Sequence, residues 1–158
     1  MTKINFRQIE ISIQQRNKEI QDLQQVLWKY VTLDGSFRFV VDEQFKKEAI
    51  AIVQKTNQYN RQNSSDLKLM EKARELANKY NFPIDRSGHV ADNPERLDLE
   101  YIESDTRRQL INLEFQQKQA VFNGKYSPEL QQLIEKGISD CKKKIDAVKL
   151  TRNALLET

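Results

Sequence analysis

The stretch Phe122-Asn123-Gly124-Lys125-Tyr126-Ser127-Pro128-Glu129-Leu130 decides the fold. Gly124 ends a helix, because glycine takes the left-handed backbone of a helix terminus without a Cβ penalty. Ser127-Pro128-Glu129 starts another: a hydroxyl cap, a proline at the first helical position and an acid in the first turn. Upstream, Asn93-Pro94-Glu95 has the same logic, and Leu97, Tyr101, Ile111, Phe115 and Phe122 read as one apolar stripe. Downstream, Leu130, Ile134, Ile138, Cys141, Ile145, Val148 and Leu155 recur at spacings of three and four. Two helices of about 30 residues, each roughly 45 Å long, follow from these boundaries. So short a connection makes them antiparallel neighbours.

Toward the N-terminus, Ile9, Ile11 and Ile13 alternate like a strand, yet Ile9, Ile13, Ile20, Leu23, Leu27 and Tyr30 or Val31 keep helical spacing and predict a helix from about Phe6 to Tyr30. Asp34-Gly35 ends it. Its flanks, Tyr30-Val31-Thr32-Leu33 and Ser36-Phe37-Arg38-Phe39-Val40, are β-prone, so a short β-hairpin near residues 31–41 competes with a helix cap and an extended linker. Phe37, Phe39 and Val41 alternate, and one face of this stretch is expected to pack onto something. Asp42 is a candidate N-cap with Glu43 in the first turn. Phe45, Ala49, Ile52, Val53, Thr56 and Tyr59 mark a helical face to about Asn60, and Leu69, Met70, Ala73, Leu76, Ala77 and Tyr80 continue the period. Asn63-Ser64-Ser65-Asp66 is a break or a new cap, leaving one kinked helix or two over residues 43–81. Pro83 stops the run. Asn81 to Asn93 form the one sizeable loop.

Composition agrees. Four glycines and three prolines in 158 residues supply too few turns for a β-rich fold. Charged residues make up 31% of the chain and mean hydropathy is −0.76, which fits elongated helices with large solvated faces. Glutamine, roughly a tenth of the chain, lies between apolar positions and favours helix. The expectation is an all-α antiparallel bundle of four to five helices, a single domain over residues 1–158. The 26 basic and 23 acidic residues leave a net charge of +3, too weak to point to nucleic acid. No run of about 18 apolar residues marks a membrane span. Met1 to Arg7 holds no signal-peptide core, so the expected location is cytoplasmic unless a leader was removed.

Candidate chemistry is sparse. Cys141 excludes an internal disulfide, being the only cysteine, and on the apolar stripe it reads as a buried inert thiol. His89, the only histidine, excludes His-rich zinc sites and the Glu-x-x-His pairs of di-iron bundles. Glu100, Glu103, Asp105 and Glu114 are candidates for an all-carboxylate site, weighed against a solvated helix face. Asp85, Arg86 and His89 place carboxylate, guanidinium and imidazole in one loop, where acid–base work would need a pocket to tune it. Lys142-Lys143-Lys144 and Arg107-Arg108 are short basic clusters among acids. Trp28, Tyr30, Phe37 and Phe39 surround Asp34-Gly35. Core packing is their default role, but if exposed they form a partner-binding patch centred on Trp28, Phe37 and Phe39.

Leu99-Glu100-Tyr101-Ile102, Gly124-Lys125-Tyr126-Ser127-Pro128-Glu129-Leu130 and the long last helix resemble an uncharacterised family of ferritin-like four-helix proteins, mostly exported by bacteria, the domain of unknown function four-one-four-two. Glu71-Lys72-Ala73-Arg74-Glu75-Leu76-Ala77 extends the resemblance to about half the chain. The resemblance implies a four-helix fold with inward histidines. Gln109, Lys144 and Asp66 stand at those positions here, so it implies a member without a metal site. The leading expectation is a non-enzymatic protein–protein interaction or structural module that binds a protein partner or itself, with no cofactor. A bundle holding a metal or small ligand between its helices, and a hydrolase-type enzyme using the His89 loop, are the alternatives.

Overall fold

The computed structural model describes residues 3–84 and 96–157. Asp85, Arg86, His89 and the Asn93-Pro94-Glu95 start signal lie outside the described residues. Within them the chain is all-α, with four helices: α1 (Phe6–Lys29), α2 (Lys46–Lys79), α3 (Leu99–Phe122) and α4 (Pro128–Leu156). Strands β1 (Lys3–Asn5) and β4 (Arg96–Asp98) form one antiparallel pair, and β2 (Val31–Leu33) and β3 (Phe39–Val41) another. The chain divides into two compact units, one of Met1–Phe6 with Glu71–Thr158 and one of Arg7–Met70. None of the described helices is long and apolar enough to cross a membrane.

In the first unit, α3 and α4 form the expected hairpin. Gly124 has φ 68°, and the amide of Lys125 donates to the carbonyl of Ala120 at 2.9 Å, closing the helix end. The Ser127 hydroxyl accepts from the amide of Leu130 at 3.2 Å, with Pro128 at the first helical position. The helices run antiparallel. Glu103, early in α3, meets Arg152 late in α4 at 2.8 Å, and Leu113 meets Gly137 further along. A Cβ on Gly137 would lie 2.9 Å from Leu113 Cδ1, so the leucine packs on bare helix backbone. Nothing in the periodicity flags this glycine, because its role depends on the opposite helix.

Two sequence expectations for α3 are corrected. The helix starts at Leu99 rather than near Pro94, and spans 24 residues, about 36 Å. Asp98 caps it by accepting from the amide of Tyr101 at 3.1 Å, while Arg96–Asp98 pairs with the first strand in register Lys3–Asp98, Ile4–Leu97 and Asn5–Arg96. That pairing joins segments more than 90 residues apart, beyond the reach of local pattern. The stripe of Tyr101, Ile111, Phe115 and Phe122 is exposed, not inward. Leu99, Ile102 and Thr106 are buried instead, and Leu110 and Leu113 continue that face half-buried at unbroken spacings of three and four. Tyr101, Ile111, Phe115 and Phe122 do share one face of the helix, but it is the outer one. On α4 the expected stripe holds: Ile134, Cys141, Ile145, Val148 and Leu155 are buried.

In the second unit, α1 and the first part of α2 run antiparallel, joined by the β2–β3 hairpin. Residues 46–79 are one continuous helix of 34 residues. Asn63 and Asp66, which read as a break, do not turn back on their own backbone. Arg16 Nη1 donates to Asp66 Oδ2 at 2.6 Å and to Asn63 Oδ1 at 3.2 Å, and Asn63 Nδ2 donates to Asn17 Oδ1 at 3.0 Å. With these side chains satisfied across the helix pair, nothing competes with the helical ladder. Asp42 makes no side-chain cap. Its amide instead donates to the carbonyl of Tyr30 at 2.8 Å and closes the base of the hairpin, and a 3₁₀ turn over Glu43–Phe45 leads into the helix.

Gly137→Leu is expected to force the facing helices apart and to destabilise the fold by about 1–3 kcal/mol, the usual cost of overpacking. Thermal unfolding measures it, and Leu113→Ala in the same chain is expected to recover part of the loss.

Candidate functional site

The β2–β3 hairpin carries the site with the clearest physical signature. Its register pairs Val31 with Val41, Thr32 with Val40 and Leu33 with Phe39. Side chains alternate across a strand pair, so Val31, Leu33, Phe39 and Val41 share one face. That face is wholly apolar, and Leu33 and Phe39 on it are 57% and 67% exposed. Trp28, from the last turn of α1, meets Phe39 edge to face with ring centroids 5.7 Å apart and is itself 63% exposed. Tyr30 has the default role instead: it stacks on Phe45 at 4.6 Å, and both rings are half-buried.

The same face runs into an open apolar groove of ≈ 350 Å³ lined by Leu27, Val31, Val41, Ala49, Ile50 and Val53, with Lys46 and Gln54 also lining it. The buried side chains of this unit are few: Ile20, Ala49, Asn63 and Met70. The apolar surface of the hairpin is therefore additional to the seam that holds the two helices.

Of the two readings of Asp34-Gly35, the short β-hairpin is the one that forms, but its connection is longer than the Asp-Gly pair. Asp34 to Arg38 form the loop. The amide of Asp34 donates to the carbonyl of Arg38 at 2.9 Å, and the amide of Phe37 to the carbonyl of Asp34 at 3.1 Å. Asp34 Oδ1 accepts from the amides of Ser36 at 2.8 Å and Arg38 at 3.0 Å. This side-chain clamp holds the loop with Phe37 at φ 59°, the left-handed region. Phe37 is thereby displaced from the alternation with Phe39 and Val41, and is 87% exposed. A non-glycine residue in that region costs roughly 1–2 kcal/mol, and Phe37 recovers little of it by burial within the chain. Trp28, Phe37 and Phe39 are thus brought to one end of the unit. What the sequence reading missed is the groove beside them, which forms only when Leu27, Val31, Val41 and Ala49 meet from separate elements.

The carboxylate candidates do not form a site. Glu103 is held by two arginines: Arg107 Nη2 donates to Oε1 at 3.0 Å and Arg152 Nη2 to Oε2 at 2.8 Å. These donors, Arg152 foremost, hold the carboxyl below the usual glutamate range. Asp105 accepts from Gln109 at 2.9 Å. Glu114 lines a shallow polar groove with Glu135, Asp146, Lys142 and Lys143, where the basic cluster already faces acids. Among the described residues, no three His, Cys, Asp or Glu side chains gather closely enough to hold a metal ion. Of the positions where the resemblance places histidines, Asp66 is ion-paired to Arg16 and Gln109 is exposed. Cys141 is buried, and burial pushes its thiol up, the setting of an unreactive cysteine. No protein-family model, curated protein or solved structure matches the chain.

Two outcomes follow from this geometry. Phe37→Gly is expected to raise stability by about 0.5–1 kcal/mol, since glycine occupies the left-handed position freely and little packing is lost; denaturant unfolding reads the change. Glu103→Gln is expected to cost about 1–2 kcal/mol at neutral pH. Because the folded carboxyl titrates lower than the unfolded one, this contribution is full above the ordinary glutamate range. It is lost as pH falls below the ordinary glutamate range and through the folded value, beneath which the two proteins converge in stability.

Proposed function

We propose that the chain is a helical interaction module that works by protein–protein contact rather than catalysis, and that the β2–β3 hairpin with Trp28 is its contact surface. One observation carries this reading: Phe37 occupies a strained left-handed position while almost fully exposed. Backbone strain without a packing return is retained where surrounding structure enforces it, and such residues cluster at functional positions. Here the Asp34 carboxylate enforces it. The neighbouring side chains fit the same role. Trp28, Leu33 and Phe39 form a large exposed apolar surface of the kind that marks contact sites. Two of the three are aromatic, the residues that most often anchor interfaces.

The hairpin has two faces, and the module reading distinguishes them. Phe39 lies on the apolar face, whereas Thr32 lies on the opposite face and is exposed as well. A photo-crosslinking amino acid at position 39 is expected to give discrete protein adducts in cells producing the chain, and the same probe at position 32 few or none. Trp28→Ser is expected to remove the position-39 adducts while helicity by circular dichroism stays unchanged. No adducts at 39, or equal labelling at both positions, would overturn the reading.

A further inference from the structure

We infer that the hairpin surface docks on a second copy of this chain, with Phe37 of each copy seated in the Leu27–Val31–Val41–Ile50–Val53 groove of the other. This rests on the interaction-module reading and names its partner. The groove and the exposed anchor belong to the same hairpin but lie at opposite ends. Val31 and Val41 line the groove at the base, and Phe37 stands in the loop at the tip. At about 3.3 Å per residue the two ends are roughly 12 Å apart, so Phe37 cannot fill its own groove. A two-fold axis through the middle of the hairpin, near the Leu33–Phe39 pair, exchanges tip and base. An isologous contact then satisfies both grooves at once, with residue i meeting j and j meeting i.

Size and charge fit such a partner. A groove of ≈ 350 Å³ accommodates a phenylalanine side chain. Trp28, Leu33, Phe37 and Phe39 are each more than half exposed, and Ile50 and Val53 nearly so. Together they offer several hundred Å², approaching the ~800 Å² that each partner contributes to a standard interface. The shared face of Val31, Leu33, Phe39 and Val41 has no charge, so two copies meet without repulsion. Lys46 at the groove would receive a loop whose own charges cancel, since Arg38 Nε lies 3.8 Å from Asp34 Oδ2.

The strand edges are complementary in the same sense. The bonds from the amide of Asp42 to Tyr30 and from the amide of Asp34 to Arg38 set the alternation of the ladder. By that alternation Val31, Leu33, Phe39 and Val41 form the non-hydrogen-bonded pairs, whose amides and carbonyls point away from the hairpin. The residues with apolar side chains on the shared face thus also present the open backbone groups at its edges.

Sedimentation equilibrium on the full chain tests the inference. The expected result is a reversible dimer at micromolar concentrations. Phe37→Ala is expected to weaken it by about thirtyfold, the loss of a hot-spot anchor, and Val53→Glu, which places a charge in the groove at an exposed position, by at least as much. An equimolar mixture of the two variants is expected to associate more tightly than either alone, because the intact Phe37 of one meets the intact groove of the other. A monomer at all concentrations, a Phe37→Ala dimer as tight as the parent, or a mixture no better than its components would each overturn self-docking. If the purified chain is monomeric while position 39 crosslinks to other proteins in cells, self-docking fails and the interaction-module reading stands. If neither dimer nor adduct forms, both fail.

Discussion

A long helix must end somewhere, and left-handed backbone is how α2 and α3 do it. Asn81 at φ 56° follows α2, and the amide of Phe82 donates back to the carbonyl of Ala77 at 2.8 Å. Gly124 at φ 68° follows α3 with the equivalent bond from Lys125 to Ala120. These bonds satisfy carbonyls that the last helical turn leaves orphaned. Glycine and asparagine enter this conformation with least strain. Phe37, with Asn81 one of two left-handed non-glycine residues among those described, reverses a strand pair rather than ending a helix. Among the described residues the fold thus uses one backbone device three times, and only at Phe37 does the side chain oppose it.

Legibility in the sequence follows how local the deciding physics is. The α3–α4 hairpin could be read because Gly124 and Ser127-Pro128-Glu129 act within a few residues of themselves, and the α4 stripe because its spacing never breaks. The inward face of α3 could not be read the same way. Its outer face carries Ile111, Phe115 and Phe122, which are larger than the Thr106 that is actually buried, and bulk outweighed regular spacing. Thr106 is tolerated inside because its hydroxyl donates to the carbonyl of Ile102 at 2.6 Å. The β1–β4 pair and the contact of Leu113 on Gly137 depend on partners distant in sequence. At the candidate site the aromatic cluster around Asp34-Gly35 is legible in the sequence, whereas its exposure depends on what the fold packs against it. The groove was not legible, since it assembles from α1, both strands and α2.

The unbroken course of α2 has a similar cause. Asn63 and Asp66 are helix breakers when their side chains compete for local amides. Arg16 and Asn17 on α1 occupy those side chains, and the competition disappears. A buried polar group must be satisfied somewhere, and satisfying it across two helices also fixes their register. That matters because the unit buries few apolar side chains with which to set register by packing alone. The polar pairing does for α1 and α2 what close contact at Gly137 does for α3 and α4.

This division bears on the hairpin. Where helices are aligned by hydrogen bonds, the apolar residues beside them are not needed to choose the register. Trp28, Leu33 and Phe39 are then free to remain on the surface without the helix pair losing its alignment. The Asp34 clamp completes the arrangement by holding the loop in a shape that points neither Phe37 nor its backbone toward regular strand geometry. An apolar surface held by its own hydrogen bonds loses little conformational entropy when it is covered, and such preorganisation favours docking over collapse. The same rigidity fixes the distance from Phe37 to the groove, which turns a hydrophobic patch into a surface with a defined geometry.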